Sequence, residues 1–291
     1  MVDFAKIESL KRLVLIALFS DDYLMENLVL KGGNALDLVY KITSRASFDL
    51  DFSILGQFKE DEMAEIEKKI LNTIQTTFNE QEYHVFDLKF LAKPTNLSED
   101  LKDFWGGYQL EFKFIENDKY TQYKDDIELL RRFAVNLGNS TRCQIDISKF
   151  EYCKDKKAVE IDGFTIYVYS PEMIVFEKLR SICQQMPEYK EIAKTHLRGR
   201  ARDFFDIYTV FQSFSIDLSS PENIELLKGI FAAKRVPLSW IGRIKDFRDY
   251  HEVDFVSVQN TIKAGEKIED FDFYFDFVEE KFDSLKTLGE V

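Results

Sequence analysis

The sequence has few cysteines, and their scarcity excludes several classes of protein. Three are present among 291 residues: Cys143, Cys153 and Cys183. They are too few and too widely spaced for a disulfide framework or a zinc site. The cysteine content therefore predicts a reducing, cytoplasmic location. The 5 prolines and 12 glycines are likewise too few for long disordered linkers.

The sequence also lacks long apolar runs and a surplus of positive charge. No segment approaches the ~18 consecutive apolar residues that cross a membrane, and residues 1–18 lack the layout of a signal peptide. We therefore expect no membrane partner. The 52 acidic residues outnumber the 39 lysines and arginines, which gives a net charge of −13. Because the overall field repels nucleic acid, any such substrate requires a local basic patch.

The order of predicted strands and helices divides the chain into two halves. Apolar patterns predict strands over 27–30, 48–54, 83–91, 108–115 and 144–148, with a hairpin turn at Asp162-Gly163. Helical spacing predicts helices over 4–19, 61–78 and 125–135, then over 171–186, 200–213, 221–233, 240–260 and 269–287. The last segment also alternates like a strand, but its length favours a helix. We predict an α+β fold, with a core over residues 1–168 and a helical domain over residues 169–291.

Gly32 and Gly33 lie where a predicted strand turns into a predicted helix. Glycine allows a phosphate to approach the backbone closely, and the start of a helix attracts anions. We expect Asn34 to cap this helix. On their own, two glycines at such a position more often form an ordinary turn than a phosphate site.

Asp49 and Asp51 are spaced so that both carboxylates lie on one face of a strand. Two like charges side by side are unfavourable unless a cation joins them, and Mg²⁺ prefers such hard oxygen ligands. The alternative is an edge strand whose aspartates face solvent. Asp146 lies in the middle of another predicted strand. It adds a third carboxylate if the two strands are neighbours, and is otherwise an exposed strand residue.

Two C-terminal helices carry further charged candidates. Lys178 lies on an amphipathic helix, where a lysine is usually solvated. Asp203 belongs to a string that begins the next predicted helix. In that string Arg202 and Asp206 are four residues apart, which is the spacing of a simple helical ion pair.

The order of these features resembles the polymerase-β-like nucleotidyltransferases. The local strings are similar to those of the AbiEii/AbiGii family of toxin nucleotidyltransferases, whose members carry Lys-Gly-Gly-Thr-Ala-Leu and, later, Arg-x-Ser-x-Asp-hydrophobic-Asp. The matching strings here are Leu30-Lys31-Gly32-Gly33-Asn34-Ala35-Leu36, Arg45-Ala46-Ser47-Phe48-Asp49-Leu50-Asp51-Phe52, Lys178-Leu179 and Arg202-Asp203-Phe204-Phe205-Asp206. The resemblance covers residues 25–215, and roughly the last 75 residues match no motif. Asn34 stands where the family usually has Thr or Ser.

The resemblance implies a mixed twisted sheet, a helical C-terminal domain that completes a nucleotide cleft, and a role for each matched residue. Triphosphate contacts would come from Lys31, Gly32, Gly33 and Asn34. Beside them, Arg45 and Ser47 would line the pocket. The ligands of Mg²⁺ or Mn²⁺ would be Asp49 and Asp51, with Asp146 as a third that is matched on strand logic. Lys178 would hold a phosphate, and Asp203 would lie near the nucleotide or act as a base.

The densest basic run of this acidic chain lies between residues 190 and 202. It contains Lys190, Lys194, His196, Arg198, Arg200 and Arg202. These side chains could hold the phosphates of an RNA acceptor, or they could belong to a solvated loop. Trp105 could stack on a base, although packing is the commoner role of a tryptophan.

Taken with the resemblance, the motifs predict a metal-dependent transfer of a nucleotide from an NTP to an acceptor. The resemblance further implies the toxin of a toxin–antitoxin or phage-defence pair, with a cognate antitoxin and with RNA, in particular tRNA, as acceptor. Two alternatives stay open at this point. One is transfer to a small molecule of the antibiotic kind, which the acidic charge would suit if the substrate is a cation. The other is nucleotide binding without catalysis.

Overall fold

A mixed sheet of seven strands is present in the part of the chain that the structure describes. The structure, a computed structural model, covers residues 4–43, 49–137, 140–262 and 265–289. The strands are β1 (Leu28–Lys31), β2 (Leu50–Ile54), β3 (Tyr83–Lys93), β4 (Gly107–Glu116), β5 (Cys143–Ser148), β6 (Lys157–Ile161) and β7 (Phe164–Val168). They lie in the order β3-β4-β5-β2-β1-β7-β6. The pairs β2/β5 and β1/β7 are parallel, and the other neighbours are antiparallel.

Helices surround this sheet and make up the chain after β7. The N-terminal helices are α1 (Phe4–Phe19), α2 (Asp22–Asn27), α3 (Gly32–Asn34, continued as a π-helix over Ala35–Val39), α4 (Met63–Glu80), α5 (Asn117–Tyr123) and α6 (Ile127–Phe133), with 3₁₀ turns at Glu60–Glu62 and Glu99–Leu101. The C-terminal helices are α7 (Pro171–Cys183), α8 (Tyr189–Ala193), α9 (Ala201–Ser213), α10 (Pro221–Ala233), α11 (Arg248–Glu252), α12 (Phe255–Gln259) and α13 (Phe271–Lys281), with 3₁₀ segments at Leu238–Phe247 and Asp283–Gly289. The α+β class is confirmed.

Apolar spacing explains how α4 covers the sheet. Ile66, Ile70, Ile74 and Phe78 recur every four residues and are all buried, so they form one face of the helix. The ring of Phe78 lies 5.1 Å from that of Phe114 on β4. The predicted amphipathic helix is therefore confirmed, and its apolar face supports the strands that carry the site.

The C-terminal helices pack on one another through aromatic side chains. Ser170 caps α7, because its hydroxyl accepts the Met173 N–H at 3.3 Å. The helix packs against both α9 and α10. Residues 271–281 are helical, with the Phe275 ring 5.4 Å from that of Phe204 on α9. The prediction of a helix for this ambiguous segment is confirmed.

Two local predictions are wrong. Asn34 has helical backbone angles, and the helical segment begins at Gly32, so Lys31 and not Asn34 occupies the capping position. The continuous helix expected over 240–260 is divided into a 3₁₀ segment followed by α11 and α12. The apolar spacing of this region is satisfied by the shorter pieces, each of which buries its own side chains.

No described helix is long and apolar enough to cross a membrane. The three cysteines are buried free thiols. Burial raises the pKa of Cys143 to about 12, so this thiol stays protonated at neutral pH and is a poor nucleophile.

Candidate active site

A row of polar side chains crosses the four central strands. In register, Lys31 on β1 lies opposite Asp51 on β2, Asp51 lies beside Asp146 on β5, and Asp146 lies opposite Gln109 on β4. Both aspartates are therefore on strands with neighbours on each side. The edge-strand alternative for Asp51, and the exposed-strand alternative for Asp146, are wrong.

The carboxylates of this row repel one another in a partly buried setting. Burial raises the pKa of Asp51, and repulsion from Asp146 raises it further. Together they outweigh the opposing effect of Lys31, so the pKa is about 6. Asp49 is more exposed than Asp51. Its pKa is raised as well, mainly by partial burial and secondly by the charge of Asp146. Asp146 accepts hydrogen bonds from the side-chain amides of Gln109 at 2.9 Å and Gln144 at 3.0 Å. Two carboxylates with raised pKa values thus lie beside a third whose orientation is fixed.

The glycine turn lies directly against this group. Gly32 has φ +68°, and a Cβ on it would lie 3.2 Å from the Asp51 carboxylate oxygen Oδ2. Both the backbone angle and the close approach therefore favour glycine. Asn34 is fully buried, and its side-chain amide donates a hydrogen bond to the Asp49 carbonyl. The turn and the start of the aspartate strand are held together by these contacts.

Lys31 is buried in a cluster of charges. Its ammonium lies 3.2 Å from the Ser148 hydroxyl, 3.5 Å from Glu151 and 3.7 Å from Glu177. Burial disfavours the charge, but Glu151 and Glu177 outweigh it, so the pKa of Lys31 is raised and the side chain stays a cation. Its position beside Asp51 puts a permanent positive charge at the edge of the carboxylate group.

Lys178 belongs to a second buried cluster. Its ammonium lies 3.0 Å from Asp203 and 2.7 Å from Asp206. Only 4% of Lys178 is exposed, so the alternative of a solvated helix lysine is wrong. Burial alone would raise the pKa of Asp203, but Arg200 and Lys178 hold it well below its usual range. Asp203 is therefore a fixed anion that holds two cations in place.

One cavity of about 540 Å³ brings these groups together, and we call it the carboxylate cavity. Its lining includes eight of the residues given a catalytic, nucleotide-binding or metal-binding role by the resemblance: Lys31, Gly32, Gly33, Asp49, Asp51, Asp146, Lys178 and Asp203. Asn34 is not among the lining residues. Arg45 and Ser47 lie outside the described residues. The cavity wall thus combines a glycine turn, the carboxylates of Asp51 and Asp146 on neighbouring strands, that of Asp49 just before β2, and a buried lysine from the helical half.

Comparison with known proteins fits this arrangement. The family model described as "Nucleotidyl transferase AbiEii toxin, Type IV TA system" matches residues 13–277. The chain belongs to the AbiEii family. It is thus a member of a family of nucleotidyltransferase toxins from type IV toxin–antitoxin systems, and the resemblance found in its sequence strings is confirmed. A search of curated proteins gave no match.

A solved structure shares the fold of this AbiEii-family chain. A crystal structure of a candidate nucleotidyltransferase from H. pylori is 17% identical, with a TM-score of 0.52, and the match covers 98% of this chain and 96% of that one. The JHP933 protein from Helicobacter pylori is also 17% identical, with a TM-score of 0.48 over 98% of this chain and 93% of that one. At this identity the first likeness shows the fold alone.

Sequence reasoning missed several residues of the AbiEii-family site. Gln144, Glu177 and Asp254 also line the carboxylate cavity. Gln144 could have been found, because it lies two residues before Asp146 and so shares its face of the strand. Glu177 adjoins Lys178, but an acid on an amphipathic helix gives no distinct signal. Asp254 belongs to the C-terminal region that matched no motif.

Three arginines of the basic run line the cavity from the loop before α9 and from the first turn of that helix. Arg198, Arg200 and Arg202 all line the carboxylate cavity. The backbone N–H of Arg200 donates to Nδ1 of His251 at 3.2 Å, and Nε of Arg202 donates to the Ser257 hydroxyl at 3.0 Å. The last stretch of the family match therefore shapes the arginine side of the site.

His251 is expected to act as a positioning residue for this loop. The imidazole is buried, and burial lowers its pKa to about 4, so it is neutral and Nδ1 can accept from Arg200 at neutral pH. In His251→Phe the buried N–H loses its acceptor, at a cost of about 1–3 kcal/mol. We expect a Tm lower by several degrees and a raised KM for the NTP.

His251→Asn is the matched control, because its side-chain oxygen can accept in place of Nδ1. This variant should keep a KM closer to that of the wild type. The KM of each variant is measured by varying the NTP concentration in the transfer reaction, and its Tm is measured by thermal unfolding. Equal KM values for the Phe variant and the wild type would contradict the positioning role.

Proposed function

We propose that this AbiEii-family chain transfers a nucleotide from an NTP to an RNA acceptor, with a divalent cation at Asp49 and Asp51. The observation that carries the proposal is the adjacency of Asp51 and Asp146 on central parallel strands, with Gly32 packed against Asp51. In this arrangement the carboxylates lie next to a glycine turn whose backbone a phosphate can approach closely. A non-catalytic binding module would not need three mutually repelling carboxylates there.

The residues present fit Mg²⁺ or Mn²⁺. In the described part of the chain, no group of three or more His, Cys, Asp or Glu side chains forms a ready-made metal site. Mg²⁺ commonly uses only one or two protein carboxylates and takes its other ligands from substrate phosphates and water. Asp49 and Asp51 can supply those two. Burial, with a smaller contribution from Asp146, raises their pKa values, and a bound cation would stabilise the ionised forms. Asp146 is the proposed third ligand. When bound, the cation neutralises phosphate charge and activates the attacking oxygen.

The other residues hold the triphosphate. The backbone of Gly32 and Gly33 allows close approach of phosphate oxygens. Lys31 from β1 and Lys178 from α7 supply positive charge. Asn34 keeps the turn fixed to the aspartate strand through its bond to the Asp49 carbonyl. Arg45 and Ser47 stay proposed pocket residues on the strength of the family strings alone.

Asp203 is better suited to positioning than to proton abstraction. A carboxylate whose pKa is held well below its usual range is a weak base at neutral pH. Its bonds to Lys178 and Arg200 instead fix two cations that face the nucleotide. We therefore assign Asp203 the role of holding these cations near the NTP.

An RNA acceptor is supported by local charge. In a chain with net charge −13, three arginines lie together on the wall of the carboxylate cavity. Clustered arginines bind phosphate backbones, whereas they repel a cationic antibiotic. tRNA is the proposed class of RNA by analogy with the family.

The proposal extends to cellular context and domain arrangement. A cognate antitoxin and a cytoplasmic site of action accord with membership in a type IV toxin family. We further propose that residues 1–168 form the nucleotidyltransferase core and that residues 169–291 complete the cleft. Lys178 and Asp203 come from the second segment, and Asp51 and Asp146 from the first.

The test is incubation of the purified protein with each α-labelled NTP and total tRNA, with Mg²⁺ or with EDTA. Label on RNA is expected in the reactions with Mg²⁺ and not in those with EDTA. It should be lost in Asp49→Ala/Asp51→Ala, while the control Asp246→Ala, an exposed aspartate, keeps it. Absence of label with every NTP would refute transfer to tRNA, and label in the double variant would refute the roles of Asp49 and Asp51.

A further inference from the structure

A second cavity opens beside the carboxylate cavity, and none of the motifs accounts for it. It measures about 560 Å³ and we call it the Trp105 cavity. Asp146, Glu177, Arg198 and Arg200 line both cavities, as does Lys31. The two spaces therefore meet at Asp146, next to the proposed reaction centre, and one ligand could extend from the first into the second.

Helix α7 forms a wall common to the two cavities. Glu177 faces both of them, whereas Ser181, Gln184 and Gln185 line the Trp105 cavity. From Glu177 to its end at Cys183, α7 extends about 9 Å at 1.5 Å per residue, and Gln184 and Gln185 in the turn that follows continue the groove. This is the length scale of one nucleotide unit beyond the metal-binding carboxylates.

The charge of the Trp105 cavity favours an anionic ligand. Among its described lining residues, six lysines and arginines (Lys31, Lys93, Arg180, Arg198, Arg200 and Lys234) face three carboxylates (Asp146, Glu151 and Glu177). Lys31, Arg180 and Lys234 are buried around Glu151, whereas Lys93 and Arg198 are exposed. The exposed cations are thus accessible to a phosphate entering from solvent.

An aromatic surface lies in the same cavity. Trp105 is partly exposed, and its ring lies 6.1 Å from that of Tyr189 and 5.5 Å from the Lys234 ammonium. The next two residues are Gly106, with φ +101°, and Gly107, where a Cβ would collide with the Ile147 carbonyl oxygen. Two positions that require glycine therefore fix the bend that presents Trp105 to the cavity.

We infer that the Trp105 cavity binds a nucleotide unit, with its base against Trp105 and its phosphate near Lys93 and Arg198. A planar aromatic surface beside a positively charged groove is how proteins bind single nucleotides of a strand. The inference rests on the proposed function for the identity of the reaction. The base could belong to the NTP donor or to the end of the RNA acceptor, because both present the same chemistry.

Intrinsic fluorescence tests this directly, because the chain has only two tryptophans. In Trp240→Phe, Trp105 is the sole indole, and stacking of a base should quench its emission. In the matched control Trp105→Phe, only the buried Trp240 reports, and no quenching is expected. Thermal unfolding of both variants checks that each is folded.

Two titrations separate the sources of the base. Quenching of Trp240→Phe by an NTP with Mg²⁺, in the absence of RNA, would assign the cavity to the donor base. Quenching by total tRNA without NTP would assign it to the acceptor. Quenching by neither would overturn the inference.

Kinetics supplies a second readout. Loss of a stacking contact weakens binding by roughly ten-fold or more, so Trp105→Ala should raise KM about ten-fold for one substrate and leave the other unchanged. Trp105→Phe, which keeps an aromatic ring, should lie nearer to the wild type. Unchanged KM values for both substrates in the Ala variant would also overturn the inference.

The two proposals fail in different ways. Labelled transfer without any quenching would refute nucleotide binding in the Trp105 cavity and leave the proposed function in place. Quenching without transfer removes the proposed function and leaves a nucleotide-binding cavity.

Discussion

The Asp51→Asn variant is expected to lose nucleotidyl transfer and, when free of metal, to unfold at a higher temperature than the wild type. Asp51 lies beside Asp146 in register, and burial raises its pKa from the usual range of a carboxyl to about 6. Because the folded-state pKa is above the unfolded one, ionised Asp51 destabilises the fold. The penalty develops as pH rises from about 4 to 6 and is fully present at neutral pH.

The size of this penalty follows from the shift. Two pKa units correspond to just under 3 kcal/mol, which we reduce to about 2 kcal/mol because partial exposure screens the charge. Asparagine has the same shape and no charge, so the variant should gain that amount at neutral pH. For a chain of 291 residues the gain corresponds to a Tm higher by about 3 °C.

Thermal unfolding in EDTA, at pH 7.5 and at pH 4, checks the expectation for Asp51→Asn. The difference from the wild type should be large at pH 7.5 and small at pH 4, where the wild-type carboxyl is protonated. Added Mg²⁺ should stabilise the wild type and not the variant. Asp246→Asn, an exposed control, should match the wild type throughout. A lower Tm at pH 7.5, or retained transfer, would contradict the metal-site role of Asp51.

Local pattern was sufficient to predict the strands. Asp49 and Asp51 line the same cavity, although β2 begins only at Leu50. Alternation over residues 48–54 fixes which side chains lie together, because a strand has a period of two. It does not fix which strands are neighbours. Asp51 and Asp146 meet because β2 and β5 pair in parallel, and that pairing brings together segments separated by the whole of β3 and β4. The edge-strand alternative arose from this missing information.

Long-range contacts also determine which charged residues of the helices are buried. The spacing of α7 predicts an amphipathic helix, and a lysine on it is normally solvated. Lys178 is buried instead, and Asp203 and Asp206 on α9 balance its charge. The basic run was visible as local charge, whereas the support from His251 and Ser257 depends on how the C-terminal helices pack.

Lys178→Met is expected to be the most destabilising change at the site. The lysine has only 4% of its surface exposed, and it lies between Asp203 and Asp206, which are buried as well. Removing one partner of a buried ion pair typically lowers the free energy of unfolding by about 3–5 kcal/mol, because buried charge is left uncompensated. Transfer should be lost too, since Lys178 is a proposed phosphate contact.

Urea denaturation of Lys178→Met, Lys178→Met/Asp206→Asn and Lys228→Met separates charge balance from function. The double variant removes one of the two carboxylates that Lys178 balances, so it should recover part of the lost stability while transfer stays absent. Lys228 is a surface lysine on α10, 2.8 Å from Glu225, and an exposed pair of this kind contributes little. Its variant should stay within about 0.5 kcal/mol of the wild type. If Lys178→Met were equally stable, the buried cluster would not hold the two helices together. Loss of transfer in such a stable variant would then leave phosphate binding as the principal role of Lys178.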